Sequence, residues 1–191
     1  GRSAGLLPPD APLPAPGDAG GPATPLSPAE EALFRRGRAV FDRDHARTAG
    51  LGPNFNGDSC RACHSLPVIG GSGAADVDVV RHGYLDDGVF TAPAQGTMAH
   101  RFSTAGGRPA FDDGANVVET RQTPPVFGLG FLESIPEAAI LANEDCFNPD
   151  PNAVSGCAHR LADGRLGRLG WKADVPNLDE FARDAMFNEM G

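Results

Sequence analysis

Cys60-Arg61-Ala62-Cys63-His64 is the feature that most narrows what this chain can become. Two cysteines separated by two residues, with a histidine directly after, form the attachment signature of a c-type haem. Each thiol adds across a haem vinyl group. The two-residue gap sets the sulfurs apart at the start of a helix, and His64 then supplies the proximal nitrogen to iron. Two other uses of such a pair fit less well. A thioredoxin-like redox pair begins a helix after a buried strand, and the sequence predicts no such strand before Cys60. A zinc site needs two more ligands at metal spacing, and the other cysteines, Cys146 and Cys157, are not spaced as a ligand pair. The motif therefore predicts one covalently attached haem c.

Attachment of this kind takes place outside the cytoplasm. That predicts a location in the periplasm or on the extracellular side of a bacterial cell. Cys146 and Cys157 bracket a run of turn formers from Phe147 to Gly156. A disulfide closing that loop suits an oxidising compartment and stabilises by about 3 kcal/mol or less on the loop-entropy account. Two free thiols are the alternative.

Gly 25 and Pro 18 predict a loop-rich chain, and a formal net charge of −9 argues against nucleic-acid binding. No apolar run is long enough for a transmembrane helix, which leaves a place in a membrane-associated complex open. The sequence begins at Gly1 rather than Met, which reads as a processed or truncated product. Residues 1–27, dense in Pro, Ala and Gly, read as an extended or disordered tail or linker. Residues 28–191 read as a c-type cytochrome domain.

Ser27-Pro28-Ala29-Glu30 is a helix start with a capping box. Leu33, Phe34, Gly37, Val40 and Phe41 continue it as an apolar stripe to about Asp44. Val77 to Val80 and Asn116 to Glu119 read as short strands. A short helix is expected from Pro136 to Ala142, and a longer one from Leu178 to Glu189, capped through Asn177 and Glu180. The predicted fold class is mainly α, a cytochrome c-like haem domain with long loops and a few short strands.

A six-coordinate haem needs a second axial ligand, usually Met or His. Met98 and His100 lie in the polar loop Gln95-Gly96-Thr97-Met98-Ala99-His100 and are the leading candidates. His82, His45, His159, Met186 and Met190 are the others. Each histidine is equally readable as a surface or hydrogen-bonded residue. Met186 and Met190, at helical spacing, suit a core face.

Three segments together resemble one family. Gly52-Pro53-Asn54-Phe55-Asn56-Gly57 leading into the cysteine motif, followed by Gly70-Gly71-Ser72-Gly73, resembles the N-terminal haem region of the bacterial di-haem oxidoreductases. These are a branch of the di-haem cytochrome c peroxidase and MauG superfamily. Thr123 to Pro136 resembles a second motif of that branch, and Gly167 to Ala173 a third. The resemblance implies a peroxidatic haem in this half and an electron-delivering haem in a second domain. It also implies a tryptophan between the haems, here Trp171, and a distal acid/base carboxylate, here Glu189. A carboxyl group over the iron can move a proton between peroxide oxygens; a solvated helix residue is the other reading of Glu189. Glu133 is a weaker candidate for the same role. Phe181 stands where the peroxidases carry a distal glutamine. The family continues past Met190-Gly191 into a domain with its own haem motif.

Three functions follow as expectations. The first is single-electron transfer as a subunit or half of a larger redox assembly, with a redox partner protein or subunit supplying or accepting electrons. The second is the peroxidatic half of a di-haem peroxidase-like oxidoreductase. The third is a structural or docking haem subunit.

Overall fold

A computed structural model describes residues 11–109, 111–112, 114–147 and 154–191. The chain divides into two compact units. The first comprises Gly1–Phe127 with Met186–Gly191, and the second Gly128–Ala185.

In the first unit, α1 (Pro28–Asp42) starts as the sequence dictates. Ser27 Oγ accepts the Glu30 N–H, and Glu30 Oε2 accepts the Ser27 N–H at 2.8 Å, closing the capping box. The apolar stripe does not face a core along its whole length, since Leu33 and Val40 are exposed while Asp42 is buried. Residues 11–27 carry a turn and return to this helix. Arg38 donates to the Ala11 carbonyl at 2.7 Å and Arg35 donates to the same carbonyl at 3.1 Å. Residues 1–10 of the expected tail lie outside the described residues.

The short helix α2 (Cys60–Cys63) packs on α1. Two antiparallel sheets complete the unit. One pairs β1 (Asn54–Phe55) with β4 (Phe102–Ser103). The other has the order β3-β2-β5, with β2 (Val79–Asp86) central between β3 (Val89–Thr91) and β5 (Val117–Arg121). Its register sets Val79 opposite Arg121 and His82 opposite Val118.

The expected mainly α, cytochrome c-like class is not what forms. Helix accounts for 28% and strand for 17% of the described residues, and the strands assemble into two sheets. Two causes are visible. The β-branched run Val79, Val80, Val117, Val118 and Thr120 favours pairing over helix. Gly and Pro also cut helices short: Gly128, at φ 77°, precedes α3 (Leu129–Ser134), and Pro136 stands between it and α4 (Glu137–Leu141).

The second unit contains α3, α4 and the first turns of α5 (Leu178–Met190). Asn177 Oδ1 accepts the Glu180 N–H at 2.9 Å, and Glu133 Oε1 accepts the Leu178 N–H at 3.0 Å. Glu133 is thus a helix cap. Leu166 and Leu169 are buried here. Cys146 and Cys157 form a disulfide, with Cα atoms 4.7 Å apart; residues 148–153 of its loop lie outside the described residues. Among the described residues, apart from prolines, the buried apolar side chains are few, namely Met98, Ala99, Leu166, Leu169 and Met190. No helix among them is long and apolar enough to cross a membrane.

Candidate haem-attachment site

The attachment motif occupies one helical turn whose direction is fixed from below by a buried ion pair. Arg61, between the two cysteines, is 4% exposed. Its Nε lies 2.6 Å from Asp42 Oδ1, and it also pairs with Asp44. The residue inside the motif therefore ties α2 to the end of α1. Phe41, one residue earlier, brings its ring to 6.1 Å from the His64 imidazole, centroid to centroid.

His64 is held through one ring nitrogen. Its Nδ1–H donates to the Pro124 carbonyl at 2.9 Å, with the Gly71 carbonyl at 3.3 Å. A donating Nδ1 leaves Nε2 as the unprotonated nitrogen. Burial lowers the imidazole's proton affinity below its ordinary value, against the opposing pull of those two carbonyls. At neutral pH the ring is thus a neutral donor with a fixed tautomer, the state a metal ligand requires.

The thiols are free and half-buried. Burial pushes the Cys60 thiol up. Cys63 is pushed up to about 11, first by burial and then by the Glu189 carboxylate. A redox-active Cys-x-x-Cys pair needs the opposite shift in its attacking cysteine, so the environment disfavours the thioredoxin-like use. Gly57 packs closely on α2: a Cβ there would fall 2.9 Å from the Ala62 Cβ and 3.5 Å from the Cys63 Sγ. The donor set fits a covalently held haem, with Cys60 and Cys63 as attachment points and His64 as proximal ligand.

No family model, curated protein or solved structure matches the chain.

The other sequence candidates fall in different places. Glu189, in the last turn of α5, lies in the first unit. It accepts a hydrogen bond from Asn56 Nδ2 at 2.7 Å. His100 Nε2 donates to the Asn188 carbonyl at 3.0 Å, which leaves Nδ1 as its free ligand atom. Met98 is buried at 6% exposure, bridged by its backbone to Arg81 on β2. His82 is buried against Phe111, ring centroids 4.7 Å apart. His45, Met186 and Met190 line a small cavity of about 110 Å³, and His159 Nδ1 donates to the Lys172 carbonyl at 2.9 Å. Trp171 belongs to the second unit, in the turn closed by the Leu169–Val175 bridge, and is 62% exposed.

Two residues of the site escape a reading of the sequence. Asn56, 3% exposed, sits in a run of turn formers, where asparagine signals only a turn. The Pro124 carbonyl is a backbone atom, and no side-chain pattern announces it. Arg61 could have been singled out, since an arginine between two half-buried cysteines needs an acidic partner.

Proposed function

We propose that this chain is a c-type haem protein that transfers single electrons outside the cytoplasm, as a subunit or half of a larger redox assembly. The observation that carries the reading is the Nδ1–H bond from His64 to the Pro124 carbonyl, made immediately after an open pair of thiols. It fixes the one tautomer in which Nε2 can ligate iron. Bound haem supplies a one-electron iron couple. The chain's own residues do the rest: Cys60 and Cys63 hold the group, His64 orients against it, and the Arg61–Asp42 pair keeps the turn rigid. The disulfide suits an oxidising compartment. The net charge of −9 suits a partner with a basic docking face.

The test is an intact denatured mass together with a pyridine haemochrome spectrum. A mass increment of one haem that survives denaturation is expected, and its loss in Cys60→Ser/Cys63→Ser. A chain matured in a haem c-competent host that carries no covalent haem would sink the reading.

One observation favours a second reading, the peroxidatic half of a di-haem oxidoreductase. The Glu189 carboxylate is held by Asn56 next to Gly57, which borders Cys63, so a group able to carry a proton lies close to the attachment loop. The two readings differ at the sixth coordination position. A low-spin ferric spectrum that changes in Met98→Ala or His100→Ala supports electron transfer. A high-spin spectrum with peroxide turnover that collapses in Glu189→Gln supports the peroxidase.

A further inference from the structure

A buried amide joins two stretches of this chain that are 133 residues apart. Asn56 uses three of its polar groups at once. Its side-chain Nδ2 donates to Glu189 Oε2 at 2.7 Å, and its backbone N–H donates to the Glu189 carbonyl at 2.7 Å. Its Oδ1 accepts the Arg101 N–H at 3.0 Å. The next residue is Gly57, which approaches the Cys63 sulfur so closely that its missing Cβ would touch it. The carboxylate of Glu189 is therefore clasped onto the loop that borders an attachment cysteine.

We infer that Asn56 is a positioning residue that holds the Glu189 carboxylate as a fixed negative charge beside the Cys63 end of the attached haem, and so lowers its midpoint potential. This rests on the haem reading above and adds to it the groups that set the potential. A negative charge held in a partly dry environment favours the oxidised, more positive iron. The clasp matters because a free glutamate would swing into water, where its charge is screened. Arg101 is tied to the same amide by its backbone, which leaves its guanidinium over the Phe102 ring, 5.4 Å from the centroid. It lines a cavity of about 370 Å³ that also contains Asp76, Asp78 and Arg108.

The experiment is a redox titration at pH 7 of the full, haem-loaded chain and of Glu189→Gln, Asn56→Ser and the double variant, with haem per polypeptide measured for each. Glu189→Gln keeps an oxygen for Nδ2 to donate to and is expected to raise the midpoint with haem content unchanged. Asn56→Ser is expected to raise it too, and Glu189→Gln is expected to add little on top of it. A merely structural Asn56 would change stability and leave the two shifts additive. Should Asn56→Ser fail to accumulate, Glu189→Asp carries the test: it keeps the charge but withdraws it from Nδ2, and an upward shift is expected. An unmoved midpoint in Glu189→Gln, full additivity, or no shift in Glu189→Asp overturns the inference alone. A wild-type chain without covalent haem overturns it together with the function proposed above.

Discussion

Gly57 shows how closely the attachment site is drawn at the scale of single residues. A methyl group there meets the Ala62 Cβ at 2.9 Å, and Ala62 lies inside the motif. Gly57→Ala is expected to push α2 aside, to destabilise by about 1–3 kcal/mol as overpacking does, and to lower the haem-to-polypeptide ratio. Absorbance at the Soret band against total protein checks it. Gly71 is tighter still. A Cβ there would overlap the Leu66 carbonyl oxygen, and Gly71 also turns its own carbonyl toward His64. Gly71→Ala is expected to loosen the imidazole as well as the loop, seen as a greater spread in the axial ligand's NMR or EPR signature. The sequence motif Cys60 to His64 is visible because its residues are adjacent, and the structure sets them on and just after the single turn of α2. Asn56 was not, because an asparagine's partner can lie anywhere along the chain and only the fold selects it.

At the scale of elements, the buried Arg61–Asp42 pair decides how α1 and α2 meet. Removing the arginine leaves a carboxylate stranded in a dry place, which costs about 3–5 kcal/mol. Arg61→Ala should therefore lower the urea midpoint sharply, and Asp42→Asn/Arg61→Met should recover part of the loss. The start of α5 is sensitive to acid. The backbone and guanidinium of Arg165 hold Asp163 below its ordinary 3.8, and the guanidinium holds Glu180 below its ordinary 4.5. The unfolded chain binds more protons across that interval. The contribution is therefore complete above about pH 4.5 and is lost as pH falls through the depressed values. Both groups are exposed, so the effect is small and screened by salt. Protection factors of the first α5 amides should fall below pH 4 at low ionic strength and change less at high salt. Helices α1 and α5 could be read in advance because their capping boxes are local. The β3-β2-β5 sheet could not be read as a sheet: Val79 and Arg121 become neighbours only after an intervening loop closes, and Gly83 interrupts the alternation that would announce the strand.

At the scale of the molecule, charge and exposed apolar surface are the two properties a partner would meet. The formal charge of −9 sets the sign of long-range encounters. Reduction of the haem-loaded chain by a cationic mediator should slow as ionic strength rises, and reduction by an anionic mediator should quicken. Stopped-flow rates at two salt concentrations distinguish this from a surface whose charges cancel locally. Large apolar side chains lie open in both units, among them Phe102 and Val68 in the first and Phe131 and Trp171 in the second. Apart from glycines and prolines, only five apolar residues among those described are buried.

That shortage of dry interior bears on how such a chain is made. A polypeptide with so little of its own to bury gains little by collapsing alone, and a covalently tethered macrocycle would bring the missing apolar bulk with it. Maturation and survival then become one event. On the proposed haem reading, chains that lack the group should be cut readily by an added protease, and loaded ones should resist. The steady-state amount of this protein in a cell would then report the supply of haem rather than the strength of its promoter.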